Sequence, residues 1–170
     1  MRQFAIILML LLCSGPVSGQ LNPRAHGISL NPFGVVAGTM ELRYEARSGE
    51  STSLHAGLRY YALNRNWTAP GIGGGIRWYL YPDGGATSLS GFSIGPHAYL
   101  IYWLYETDYE YDIRRVALLV GVDAAYKWVW DHFFLEPSVS LAVYPLTAED
   151  SPKAHSGLDP TFGIHLGYAW

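Results

Sequence analysis

A chain of 170 residues, 49% hydrophobic and 15% aromatic with 19 glycines, has room for one domain. That aromatic- and Gly-rich composition, with little helical periodicity, points to an all-β fold. The formal net charge of −3 gives no electrostatic case for nucleic-acid binding, and no internal run reaches the roughly 18 apolar residues of a membrane helix.

The chain opens with a positive residue, Arg2, an apolar core from Phe4 to Cys13, and the small-residue site Val17-Ser18-Gly19 before Gln20. This is the pattern of a cleaved secretion signal over residues 1–19, with a barrel domain over 20–170. The single cysteine, Cys13, lies inside the signal. The mature chain is therefore expected to have no disulfide, thiol or metal-thiolate chemistry. A lipoprotein reading of Cys13 is disfavoured by the bulky Leu12 before it.

The first candidate strand, Gly27 to Phe33, ends in the turn signal Asn31-Pro32-Phe33-Gly34. Val36 to Arg47 alternates, with Met40, Leu42 and Tyr44 on one face and Glu41, Arg43 and Glu45 on the other. After the turn Ser48-Gly49-Glu50, Ser53 to Leu63 sets Leu54, Leu58 and Tyr60 against His55, Arg59 and Tyr61. Asn64 to Gly71 reads as a polar loop, and Ile72 to Tyr81 sets Ile72, Ile76, Trp78 and Leu80 against Arg77, Tyr79 and Tyr81. The cluster Gly71–Gly75 lacks the strand-then-helix context of a phosphate loop and reads as small residues beside bulky tyrosines.

Pro82 to Ser90 connects to a strand from Gly91 to Tyr105, with Phe92, Ile94, Leu100 and Tyr102 outward and His97 and Tyr99 inward. Pro96 within it predicts a bulge. Glu106 to Asp112 reads as a solvated acidic loop or strand extension. Arg115 to Trp130 is the longest strand, with Val116, Val120, Val122 and Trp128 outward and Asp123 and Lys127 inward. The turn Asp131-His132 leads to Phe133–Pro145, where Leu135, Val139, Leu141 and Val143 alternate with Glu136, Ser138, Ser140 and Tyr144. Leu146 to Asp159 is the longest loop. The final strand, from Pro160, alternates Phe162, Ile164, Leu166, Tyr168 and Trp170 with Gly163, His165 and Gly167.

These are eight strands, each with one apolar face, and the charges collect on the other face. A charge facing hydrocarbon costs roughly 2–4 kcal/mol for a base at mid-depth, and only closed barrels satisfy all strand backbone groups in lipid. The expected fold is an antiparallel up-and-down eight-stranded transmembrane β-barrel with its charges inside. Both termini then face the periplasm. Trp78, Trp128, Trp130, Tyr168 and Trp170 supply an aromatic girdle on that side, and Tyr102 and Tyr105 one on the other.

The chain after the signal resembles the small eight-stranded outer-membrane barrels of the OmpA/OmpX type. It is similar above all to Gram-negative barrel proteins of unknown function that open with Leu30-Asn31-Pro32, followed by a Gly and a Leu-x-Tyr-Glu strand, here Leu42-Arg43-Tyr44-Glu45. Gly121 to Trp128 and the aromatic terminus carry the likeness further. Tyr168 and Trp170 match the terminal signal that such barrels present to the outer-membrane assembly machinery; His165 stands where that signal usually has Gly. The resemblance implies an outer-membrane location, contact with membrane lipids and lipopolysaccharide, and a monomer.

The expected site is a lumen network of Glu41, Arg43, Glu45, His55, Arg59, Arg77, His97, Asp123, Lys127, Glu136 and His165. Four acids and four bases among these neutralise one another. An eight-stranded barrel is just wide enough for side chains to fill, so a filled interior is expected over the rival narrow solute channel. His55, His97 and His165 have no close ligand spacing, so no metal and no cofactor is expected. His155-Ser156, with Glu149 and Asp159 nearby, raises a lipid A-modifying enzyme, since lipid A deacylases and palmitoyl transferases are barrels of this size. The deacylase pattern of His and Ser two apart on a strand is absent. The expected role is structural or surface-interacting, without catalysis.

Overall fold

Alternation of large apolar with small or polar residues gives each stretch two unlike faces. In the computed structural model of the chain, which describes residues 25–35, 38–62, 67–81, 89–105, 113–146 and 157–170, these stretches join edge to edge. The strands are β1 (His26–Leu30), β2 (Thr39–Arg47), β3 (Thr52–Ala62), β4 (Trp67–Tyr81), β5 (Gly91–Tyr105), β6 (Ile113–Trp130), β7 (Phe133–Leu146) and β8 (Asp159–Ala169). Each pairs antiparallel with the next, and β8 returns to β1, which closes an all-β up-and-down barrel. Closure joins the two ends of the sheet, with β8 meeting β1 over Leu166–Ala169. The start of β1 and the end of β8 share one rim, called here the terminal rim; the opposite end is the distal rim. The expected signal over residues 1–19 lies outside the described residues.

Several boundaries differ from those expected. β1 stops at Leu30 because the chain turns at Asn31, whose Oδ1 accepts the Gly34 N–H at 3.0 Å, and Phe33–Val35 forms a single 3-10 turn. β2 begins at Thr39, after Gly38 with φ 73°. β4 begins at Trp67 rather than Ile72, so much of the expected loop is strand: Thr68, Ala69 and Pro70 pair with Ala62, Tyr61 and Tyr60. No bulge forms at Pro96, which pairs with Val122 in unbroken register between β5 and β6. Proline removes one ladder donor but forces no extra residue into the strand, and the Pro96 ring takes an exposed, outward position. The register shifts lie instead between Tyr79 and Tyr81 and between Leu118 and Val120.

The two faces of the sheet are unlike in the way the alternation requires. Outward positions carry exposed Leu54, Leu58, Ile72, Leu100, Val122, Leu141 and Leu166, and among the described side chains none of the outward strand positions is Asp, Glu, Lys or Arg. Aromatic rings collect at the terminal rim, where Trp78, Trp128 and Trp130 are exposed. A chain of ring contacts runs from Tyr44 through His26, Trp170 and Tyr168 to Phe133 and His132, across the line where β1 meets β8. Tyr60 and Tyr102 are exposed toward the distal rim. The side chains of Tyr81 and Tyr105 lie outside the described set.

Inside, the barrel is divided along its axis. Tyr61, Ala69, Tyr99, Ile101, Trp103, Ala117, Leu119 and Ala142 form an apolar cluster in the distal half, on the β3 to β7 side. Charged side chains fill the middle and reach toward the terminal rim, where Phe134, Tyr79 and Ser93 close the space.

Candidate functional site

Glu41, Arg43 and Glu45 stand at alternate positions of β2, so they point the same way, into the lumen. β3 supplies His55 and Arg59, β4 Arg77, β5 His97, β6 Asp123 and Lys127, β7 Glu136 and β8 His165. All eleven are buried, and Arg77, Lys127, Glu136 and His165 are each no more than 1% exposed.

The eight charged groups form one connected network. Arg59 Nε donates to Glu41 Oε2 at 3.0 Å, and Arg43 forks onto Glu41 Oε1 through Nε at 3.1 Å and Nη2 at 2.8 Å. Arg43 Nη1 then donates to Glu136 Oε1 at 3.1 Å. Glu136 also meets Arg77 Nη1 at 2.7 Å and Lys127 Nζ at 3.0 Å, so a single carboxylate faces three cations. Arg77 forks onto Asp123 Oδ2 through Nε at 2.9 Å and Nη2 at 2.5 Å. Lys127 pairs with Glu45, whose other oxygen accepts Ser53 Oγ at 2.5 Å and Tyr79 OH at 2.7 Å. Four acids and four bases leave no net charge, as burial in a low-dielectric interior demands, because an unpaired buried ion costs several kcal/mol.

Glycines give the large side chains room. The Tyr99 hydroxyl donates to Glu41 Oε1 at 3.0 Å, with the Arg59 guanidinium 3.9 Å above the Tyr99 ring. A Cβ at Gly57 would lie 2.6 Å from the Tyr99 hydroxyl, and one at Gly73 would lie 2.6 Å from its Cγ. Gly57 of β3 and Gly73 of β4 are thus the bed on which a lumen tyrosine lies.

The three histidines join this network loosely. His97 Nε2 lies 3.4 Å from Ser140 Oγ, and its Nδ1 lies 3.5 Å from Asp123 Oδ1. Serine, histidine and aspartate thus stand in nucleophile, base and acid order, but both separations exceed the roughly 2.6–3.2 Å reach of an activated serine, and Asp123 is occupied by Arg77. His55 Nδ1 and His165 Nδ1 have no hydrogen-bond partner. No group of three or more metal-ligating side chains forms among the described residues. His155 and Ser156 lie outside the described residues.

Beside the network, toward the distal rim, is a cavity of about 420 Å³ lined from the turn after β1 and from β2, β3, β6, β7 and β8. Its wall includes Glu41, Arg43 and Arg59 of the network together with Asn31, Ser138, Thr161 and His165.

No protein-family model, curated protein or solved structure matches this chain.

Sequence reasoning passed over Trp103, the largest fully buried side chain among the described residues, along with Ile101 and Leu119. Their signal was parity. Tyr102 faces outward between Ile101 and Trp103, and the apolar run on both sides hides which face is which. Ser53, which donates to Glu45, was also missed, because a small polar residue on an inward face carries no sign of the bond it makes, and Asn31 was legible only as a turn residue.

Proposed function

We propose that this chain is an integral outer-membrane β-barrel of the small OmpA/OmpX kind, with a filled interior, a structural or surface-interaction role and no catalysis. One observation carries this reading. The outward strand positions among the described side chains hold no charged residue, while a balanced set of eight charges lies inside. A soluble protein rarely leaves a contiguous apolar patch larger than a few hundred Å², and here exposed Leu, Ile, Val, Phe, Trp and Tyr side chains stand on all eight strands. A hydrocarbon surround makes that surface favourable, and the aromatic rings at the terminal rim suit a membrane–water interface.

The partners that follow are membrane lipids and lipopolysaccharide around the wall, and the outer-membrane assembly machinery, which would read Tyr168 and Trp170 in β8. On this reading the barrel acts as a monomer. The test is electrophoresis of membrane fractions with and without boiling. The folded barrel should migrate differently from the boiled chain and should sediment with outer membranes. Recovery as a purely soluble periplasmic protein would sink the proposal. Unchanged lipid A in cells producing the intact protein is the expected result for a barrel without catalysis.

A further inference from the structure

The cavity beside the ion network has one part that the network does not use. On the inward side of Gly163 in β8, three polar atoms from three segments converge. A carbon built as its Cβ would lie 2.9 Å from Ser138 Oγ of β7, 3.1 Å from Asn31 Nδ2 of the turn after β1, and 3.2 Å from His165 Nε2 of β8. All four residues line the cavity. Asn31 is held in orientation, because its Oδ1 takes the Gly34 N–H and the amide NH2 is left facing the convergence point. A glycine within a strand often marks a place where another group approaches the backbone closely. No positive φ requires glycine at position 163.

We propose that this cavity is a binding site for a small neutral polyhydroxylated solute of about monosaccharide size, with one hydroxyl seated over Gly163. The chemistry of the three converging atoms selects the class. Asn31 Nδ2 only donates, His165 Nε2 donates or accepts according to tautomer, and Ser138 Oγ does both. A hydroxyl, which gives one hydrogen bond and accepts two, satisfies such a mixed set in either His165 tautomer; an ammonium finds no acceptor at Asn31 Nδ2, and a carboxylate finds three donors in only one tautomer and meets the carboxylates of Glu41, Asp123 and Asp159 in the same wall. Of the charged groups in the wall, Glu41, Arg43 and Arg59 are bonded to one another, Asp123 is bonded to Arg77, and Asp159 takes the Tyr144 hydroxyl at 3.5 Å, so an ionic solute would have to compete with bonds already made. The volume of about 420 Å³ falls in the range of small-molecule pockets, and Tyr61 adds an aromatic wall of the kind that packs against the C–H face of a sugar ring. The site depends on the barrel and not on what surrounds it, so it stands or falls separately from the membrane assignment.

The test uses the full chain folded in detergent micelles, with saturation-transfer NMR against a panel of neutral monosaccharides and glycerol, and with succinate and lysine as charged counterparts. At least one neutral member should bind saturably and the charged solutes should not. Gly163→Ala places a methyl on the convergence point and should weaken binding at least about tenfold, the loss of one or two hydrogen bonds, while the folded band in unboiled electrophoresis is kept. Ser138→Ala, which removes one partner without adding bulk, is the second variant and should weaken binding less; it decides the matter should Gly163→Ala not fold. Ser93→Ala, near the terminal rim, should bind as the parent does. Absence of saturable binding across the neutral panel, preference for a charged solute, or undiminished binding in the folded Gly163→Ala or Ser138→Ala variant would each overturn the proposal.

Discussion

Glu136 faces Arg43, Arg77 and Lys127 at once, which makes it the residue whose charge the lumen can least lose. Glu136→Gln keeps the shape and leaves one buried positive charge in excess. We expect a loss of roughly 3–5 kcal/mol in folding stability, read from the urea midpoint of the folded barrel in micelles. Adding Lys127→Met restores neutrality, so the double variant should be less destabilised than the single one; additive losses would show that charge balance is not the reason. Gly73 makes a second prediction. A methyl there would lie 2.1 Å from the Ala98 carbonyl oxygen and 2.6 Å from Tyr99 Cα, and neither backbone atom can move aside cheaply. Gly73→Ala should cost about 1–3 kcal/mol as overpacking does, seen as a lower temperature at which the folded band disappears. The charged lumen set was legible because strand parity sends alternate residues to one face, so Glu41, Arg43 and Glu45 sort together without any knowledge of partners. Which acid meets which base was not legible, because Arg43 and Glu136 are 93 residues apart and meet only across the closed lumen.

At the scale of elements, the seam between β1 and β8 stands out. β1 has five residues and pairs with β8 over four positions, against eleven between β3 and β4. Reinforcement comes from the terminal rim. His26 and Trp170 exchange N–H to carbonyl bonds of 2.9 Å in both directions, and the Trp170 ring stacks on His26 with centroids 5.8 Å apart. Trp170→Ala removes the ring that links His26, Tyr44 and Tyr168, and should lower the folded fraction in membranes while leaving any solute binding of the folded remainder intact. Normal yield of folded barrel from this variant would show that the aromatic seam is dispensable. Strand existence and order were readable from alternation alone. The end of β4 nearer the distal rim was misjudged as loop because Pro70 and Gly71 read as breakers, yet in a closed sheet both neighbouring strands hold such residues extended. Pro96 was misjudged for the same reason.

At the scale of the whole molecule, the outer face decides between a barrel in lipid and a barrel in water. Val122 lies near the middle of β6 and is exposed. Val122→Arg should cost about 2–4 kcal/mol in a bilayer and almost nothing for a barrel whose outer wall is wet. Folded fractions in lipid vesicles and in urea titrations would separate the two, and an unperturbed variant would count against the membrane reading. The lumen supports a further prediction. The buried ion network, with Phe134 and Tyr79 toward the terminal rim, leaves the interior packed across the middle, so planar bilayers containing the protein should carry no steady current. A defined single-channel conductance would require a different lumen.

The sequence by itself determined the existence and order of the strands and the face on which the lumen charges lie, because these depend on a two-residue period that is written locally. Tertiary structure decided the rest: the register at which β8 closes on β1, the partner of each buried ion, the apolar cluster around Trp103, and the cavity over Gly163. These depend on which residues from distant strands arrive at the same height in a closed barrel, and register across eight strands is set by the summed fit of all their pairings and is written in no single one of them.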